Sequence, residues 1–181
     1  MKRRPFVVMF LACLLFLALS TGCGSNGIKQ VIDEKERPLN ANITSVKEAM
    51  PFAVARAKEW HPDAFLTRIT VGFEGEDEIV SRKGRIRTWF LVYNKKNEAI
   101  GRGEVLVNMK TNSIYYFSGG LPGPTGEAGT EINYNTWNID INEAMNIAVT
   151  AIGKEEIENC ENPKIVINCI QSFWRVALLS V

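Results

Sequence analysis

The chain has 181 residues, with 21 Lys and Arg against 20 Asp and Glu and a formal charge of +1. That length holds one ordinary domain or two small ones and leaves no room for a large enzyme. The near-neutral balance lacks the basic footprint of a nucleic-acid binder. One histidine, His61, and no Cys-x-x-Cys pair argue against a zinc site, and no motif implies a cofactor or a particular small-molecule ligand.

In chain order, Lys2-Arg3-Arg4 precede an apolar run of 14 residues from Phe6 to Leu19, followed by Ser20-Thr21-Gly22-Cys23. The run falls short of the ~20 residues that span hydrocarbon, so removal of the segment is expected rather than retention as a membrane helix. Small residues before a cysteine resemble the lipobox of bacterial lipoproteins, with Ser20 standing where Leu is usual. The resemblance implies a signal peptide at 1–22, cleaved before Cys23, whose thiol carries a diacylglyceryl group and whose new amine accepts a further acyl chain. It places the protein on the extracytoplasmic face of the cell membrane, held by lipid. The 159 residues that follow residue 22 carry a charge of −2, because Lys2, Arg3 and Arg4 are lost with the leader. Residues 23–42, with Gly-Ser-Asn-Gly and then Asp33-Glu34-Lys35-Glu36-Arg37-Pro38, are expected to form a flexible, solvated tether.

The segment Ser45-Val46-Lys47-Glu48-Ala49-Met50-Pro51-Phe52-Ala53-Val54 recurs 95 residues later as Asp140-Ile141-Asn142-Glu143-Ala144-Met145-Asn146-Ile147-Ala148-Val149. Ser45 with Glu48, and Asp140 with Glu143, have the spacing of a capping box. Both copies carry one apolar helical stripe: Val46, Ala49, Met50, Ala53, Val54 and Ala57, then Ile141, Ala144, Met145, Ala148, Val149 and Ile152. The match in cap, stripe and identity points to an internal duplication. Pro51 conflicts locally with the first helix, since it removes an amide donor.

After Trp60-His61-Pro62-Asp63 the period changes to two, with Phe65, Thr67, Ile69, Val71 and Phe73 on one strand face. Gly75-Glu76-Asp77-Glu78 reads as a polar connection. Arg85 to Asn94 is the next strand, Lys95-Lys96-Asn97-Glu98 a hairpin turn, Ile100 to Met109 a third strand, and Lys110-Thr111-Asn112 a turn into Ile114 to Phe117. Ser118 to Thr130 holds five glycines and two prolines and reads as a surface connection. Lys164 to Ile170 and Phe173 to Val181 are strand-like. The expected fold class is α+β, in two units that each lay a helix on an antiparallel sheet: 43–118, then a connection at 119–137, then a shortened unit at 138–181. Cys160 and Cys169 have eight residues between them. A disulfide joining them would stabilise by roughly 2–3 kcal/mol. The alternative is two buried thiols.

The passage from Ala53 through Lys58, Trp60-His61-Pro62 and Ala64-Phe65-Leu66-Thr67 to Val71 resembles the helix-to-strand passage of PepSY domains. The strand from Trp89 to Tyr93 and the turn Val107-Asn108-Met109-Lys110-Thr111-Asn112-Ser113-Ile114 extend the likeness, with Asn108 and Asn112 where that family usually has Asp and Gly. Asn tolerates the left-handed backbone such a turn needs. Cystatin-like domains, which also pack a helix on an antiparallel sheet, are the second resemblance. The PepSY resemblance implies a module that binds or restrains other proteins, and it brings no catalytic residue.

The remaining candidates are modest. His61 sits at a helix end, with no nucleophile tied to it by a motif. Glu74, Glu76, Asp77 and Glu78 lack the ligand spacing of a calcium loop, and Glu155, Glu156 and Glu158 have no acid–base partner. Arg82, Lys83, Arg85 and Arg87 form a basic cluster suited to an acidic partner or anionic headgroups, or to a charged strand edge. Some of Trp89, Phe90, Tyr93, Tyr115, Tyr116 and Phe117 must face outward and offer contact surface. The reading is a noncatalytic, lipid-anchored binding module whose partner is another envelope protein. The alternatives are a structural envelope lipoprotein and a small hydrolase, which requires His61 and a glutamate to converge.

Overall fold

The computed structural model describes residues 28–120, 129–136, 140–170 and 173–180. The leader, Cys23 and the middle of the Gly/Pro-rich connection lie outside the described residues. Helix α1, Val46–Trp60, starts where Ser45 Oγ accepts the Glu48 amide at 3.1 Å. The Glu48 carboxylate reaches back past the cap to Thr44, accepting its amide at 2.8 Å and its hydroxyl at 2.9 Å. Those bonds hold its pKa below the ordinary glutamate value. Pro51 lies on the exposed side, and the helix continues through it to His61, whose amide donates to the Ala57 carbonyl at 3.0 Å.

The strands are β1 (Val31–Asp33), β2 (Arg37–Pro38), β3 (Phe65–Glu74), β4 (Arg85–Tyr93), β5 (Ala99–Asn108), β6 (Ser113–Gly120), β7 (Pro163–Ile170) and β8 (Phe173–Ser180). They form one antiparallel sheet in the order β1-β6-β5-β4-β3-β7-β8, with β2 also on β6. The fold is α+β. One face of the sheet presents Ile69, Val71, Phe73, Ile86, Phe90, Val105, Val107, Phe117, Ile165 and Ile167 to a single core. Into the same core go Val46, Ala49, Met50 and Ala53 of α1, and Ile141, Ala144 and Met145 of α3 (Ile141–Ile152). Ala148 of α3 is buried as well. The two stripes therefore align in burial over their first five positions, and differ at the sixth, where Ala57 is buried and Ile152 half-buried. Their caps differ as well: Asp140 accepts the amide of its neighbour Ile141 at 2.6 Å, not that of Glu143.

The tether expected at 23–42 is overturned over its described part. Ile28, Val31 and Leu39 pack against the core, and β1 and β2 pair with β6. Few apolar residues suffice because distant groups fix the backbone: Trp60 Nε1 donates to the Lys29 carbonyl at 2.9 Å, and the Leu39 amide donates to the Asn112 carbonyl at 2.7 Å. Asn112 adopts φ 51° and also accepts the Ile43 amide at 2.8 Å.

Four further expectations change. Gly75–Ser81 is a short helix, α2, not a polar connection. Three acids in its first turn suit a helix N-terminus, and Ile79 is buried. On β3 the pairing with β4 slips between Leu66 and Arg68, so Thr67 is a bulge residue. Leu66 thereby joins Ile69 in the core, while Phe65 leaves it and stacks on Tyr93 at 5.4 Å. In place of a separate second unit, α4 (Lys154–Glu158) leads into β7, and β7 joins β3. Both segments thus share one sheet and one core. The bridge expected between Cys160 and Cys169 is not formed. Cys160 follows α4, ahead of β7, whereas Cys169 is buried near the far end of β7. An extended strand rises ~3.3 Å per residue, which carries the two far beyond the Cα separation a disulfide spans.

Candidate functional site

Every described helix that is buried against the sheet packs on its core face, which leaves the opposite face uncovered by the described residues. Alternation fixes what that face displays: Arg68, Thr70, Gly72 and Glu74 from β3, Arg85, Arg87 and Trp89 from β4, Leu106 from β5, Tyr115 from β6, and Lys164, Val166 and Asn168 from β7. Together they line a shallow depression of about 460 Å³. Four of these side chains are cationic and one is anionic.

Most of the cations are matched. Glu74 receives Lys164 at 2.6 Å and Arg85 at 2.9 Å, and Arg85 also meets Glu78 at 3.4 Å. The Lys164 bond first, with Arg85 adding to it, holds Glu74 below the usual carboxylate range against the opposing effect of burial. Arg87 Nε forms an ion pair with Glu104 at 3.1 Å. Burial pushes the Tyr115 phenol up, although Arg85 and Arg87 pull it the other way.

Arg68 differs. Its guanidinium lies 4.7 Å from the centre of the Trp89 ring, with Arg87 at 5.9 Å from the same ring. Its terminal nitrogen reaches Asn168 Oδ1 only at 3.5 Å, and that oxygen already accepts the Thr70 hydroxyl at 2.6 Å. Arg68 Nε is buried and has no acceptor. Among the described residues no carboxylate pairs with Arg68. The result is a cation over an indole, short of acceptors, in a basic depression; such a group takes a carboxylate or another oxyanion through paired N–H donors.

The structure divides the basic cluster read from sequence. Arg85 and Arg87 lie on the uncovered face, while Arg82, at φ 60°, turns to α3 and donates to Asn146 at 2.9 Å, with Lys83 beside it. Of the six aromatics, Phe90 and Phe117 are core, and Trp89, Tyr93, Tyr115 and Tyr116 are half-buried. His61 is occupied in its turn: Nδ1 accepts the Asp63 amide at 3.2 Å. Glu59, the nearest glutamate in sequence, is paired with Arg56 at 2.9 Å. Sequence reasoning missed Arg68, Lys164 and Asn168. The signal was present in the polar alternation Arg68, Thr70, Gly72, Glu74, which is the complement of the apolar set Ile69, Val71, Phe73.

No protein-family model, curated protein or solved structure matches this chain.

Proposed function

We propose that the chain is a noncatalytic binding module built on PepSY-like units, lipid-anchored through Cys23 on the extracytoplasmic face of a bacterial cell membrane. On this reading it binds or restrains another envelope protein through the uncovered sheet face, and the surface it recognises is acidic. The observation that carries the reading is Arg68, stacked on Trp89 with an unsatisfied Nε in a depression of like charge. Leaving a buried donor unpaired costs about 1–3 kcal/mol, which an incoming carboxylate recovers.

Mild cross-linking of intact membranes, followed by solubilisation and recovery of the chain, tests this. The wild type is expected to carry a discrete adduct with an acidic protein. Arg68→Glu is expected to reduce that adduct about tenfold, a loss of ~1.4 kcal/mol, with lipid labelling unchanged. An adduct of undiminished yield in Arg68→Glu refutes the assignment to this face. Cys23→Ser is expected to abolish lipid labelling; retained label refutes the anchor.

A further inference from the structure

The two long borders of the sheet are built differently, and β8 is the anomalous one. It runs eight residues, Phe173–Ser180, antiparallel to β7 without a register shift. Among the described residues, nothing pairs with its outer edge. Val176 is 39% exposed and Leu179 46% exposed, on opposite faces of the strand, and Ala177 is exposed beside them. Arg175 is its one charge. Proline, charged side chains and bulges are the usual guards of a free edge, and of these β8 has Arg175 alone. On α3, which packs on β8, Ile147 is 57% exposed.

We infer that β8 pairs antiparallel with β8 of a second copy, joining two sheets into one. The strand is self-complementary in a checkable way. Directly opposed residues in an antiparallel pair point to the same side of the sheet, so the two-fold axis must pass through a residue position and not between two. About Val176, Arg175 faces the partner's Ala177; about Ala177, it faces the partner's Leu179. Only the register about Arg175 opposes like charges, and that repulsion removes it. An incoming strand bearing charge would set that charge against valine and leucine with no counter-ion, whereas a second copy brings apolar side chains to an apolar edge.

The axis stands perpendicular to the sheet, so both uncovered faces open on the same side, both helix layers lie on the other, and the β1 ends are farthest apart. A dimer of this kind presents two Arg68–Trp89 sites to one partner surface. This inference does not depend on what those sites bind. A strand of eight residues is about 27 Å long, and one strand with a flanking helix makes an interface of the smaller class, about 1,200 Å² or less. Association in the micromolar range is expected.

Sedimentation velocity of the full chain in detergent, from about 1 to about 100 µM, brackets such an affinity. The wild type is expected to pass from monomer to dimer. Val176→Lys with Leu179→Lys is expected to weaken dimerisation at least about tenfold, while Ile32→Lys, at the opposite border, leaves it unchanged. Single Val176→Cys and Ala177→Cys variants provide a second readout that does not depend on the lysine protein folding. One of the two is expected to give an oxidant-dependent covalent dimer absent from the parent chain. A wild type that stays monomeric across the range, or that gains mass only when another component is added, overturns the inference. So does a dimer of undiminished strength in a folded double-lysine variant, or the absence of cross-linking at both cysteine positions.

Discussion

At one border of the sheet the chain spends 12 residues, from Ile28 to Leu39, on two very short strands. At the other it spends eight on a single strand whose one charge is Arg175. The first border is rich in charge, from Asp33 to Arg37, and ends in Pro38. It is also locked from beneath. Trp60 lies against the backbone of β5 and β6, so close that a Cβ at Gly119 would stand 2.6 Å from its Cε2 and one at Gly103 2.9 Å from its Cζ3. Arg56, buried in α1, meets Asp33 of β1 at 3.0 Å while its guanidinium sits 4.2 Å from the centre of the Phe117 ring. One helix thus reaches the first border through an indole and a guanidinium. Among the described residues the second border shows neither device: α3 contacts β8, and no ion pair joins the two. A border closed by specific polar bonds is finished as a monomer, and one left apolar and straight is suited to further strand pairing.

The largest expected effect on this contrast comes from Trp60→Ala. It removes the ring over the glycine backbone and the bond to the Lys29 carbonyl, and is expected to destabilise by roughly 3 kcal/mol in urea unfolding. It should also loosen β1 enough for amide exchange there to rise well before that of β4. Unaltered exchange across Val31–Asp33 would show that β1 does not depend on the lock.

Asp33→Ala comes next, with a smaller loss, because Arg56 keeps Glu59 but loses its cross-element partner. The effect has a definite pH dependence. The Lys35 amide first, then Arg37 and Arg56, hold the Asp33 carboxyl below its ordinary pKa. A carboxylate depressed on folding contributes stability that is present above the unfolded value of about 3.9 and is lost as pH falls through the folded value. The gap between wild type and Asp33→Ala is therefore expected to be widest near neutrality and to close in acid. A gap of constant size down to about pH 2 contradicts the assignment.

The same contrast explains what could be read in advance. Helices and long strands were legible because their periodicity is carried by many residues: the stripe from Val46 to Ala57, the alternation from Ile86 to Val92, and the turn asparagines 97 and 112, both with positive φ. The first border was not, because its order depends on single long-range bonds, Trp60 to Lys29 and Arg56 to Asp33, that leave no local pattern. The bulge at Thr67 was hidden for a related reason. Phe65 and Leu66 are both apolar, so either phase of the alternation looked acceptable until pairing with β4 fixed it. Of the candidate site, Arg85, Arg87 and Trp89 could be found on one strand. Arg68 and Lys164 gained meaning only when β7 joined β3 and placed both on one face.

The smallest effect separates the two helices at their first turns. Ser45 closes α1 with a bond to the amide three residues on, and Glu48 returns to Thr44, so several groups near the start are satisfied together. Among the described residues Asp140 accepts only the adjacent Ile141 amide, and Glu143 returns no bond to the cap. Ser45→Ala is accordingly expected to cost about 1 kcal/mol, near the centre of the range for cap removal, and Asp140→Ala about half that. Paired urea titrations of both variants against wild type measure the difference directly. If the two substitutions cost the same, the helix starts are energetically equivalent despite their different bonds, and the likeness between the two copies extends from the stripe to the cap. If Ser45→Ala costs more, the second copy has kept its buried face while losing its cap, as expected for a helix held by the shared core alone.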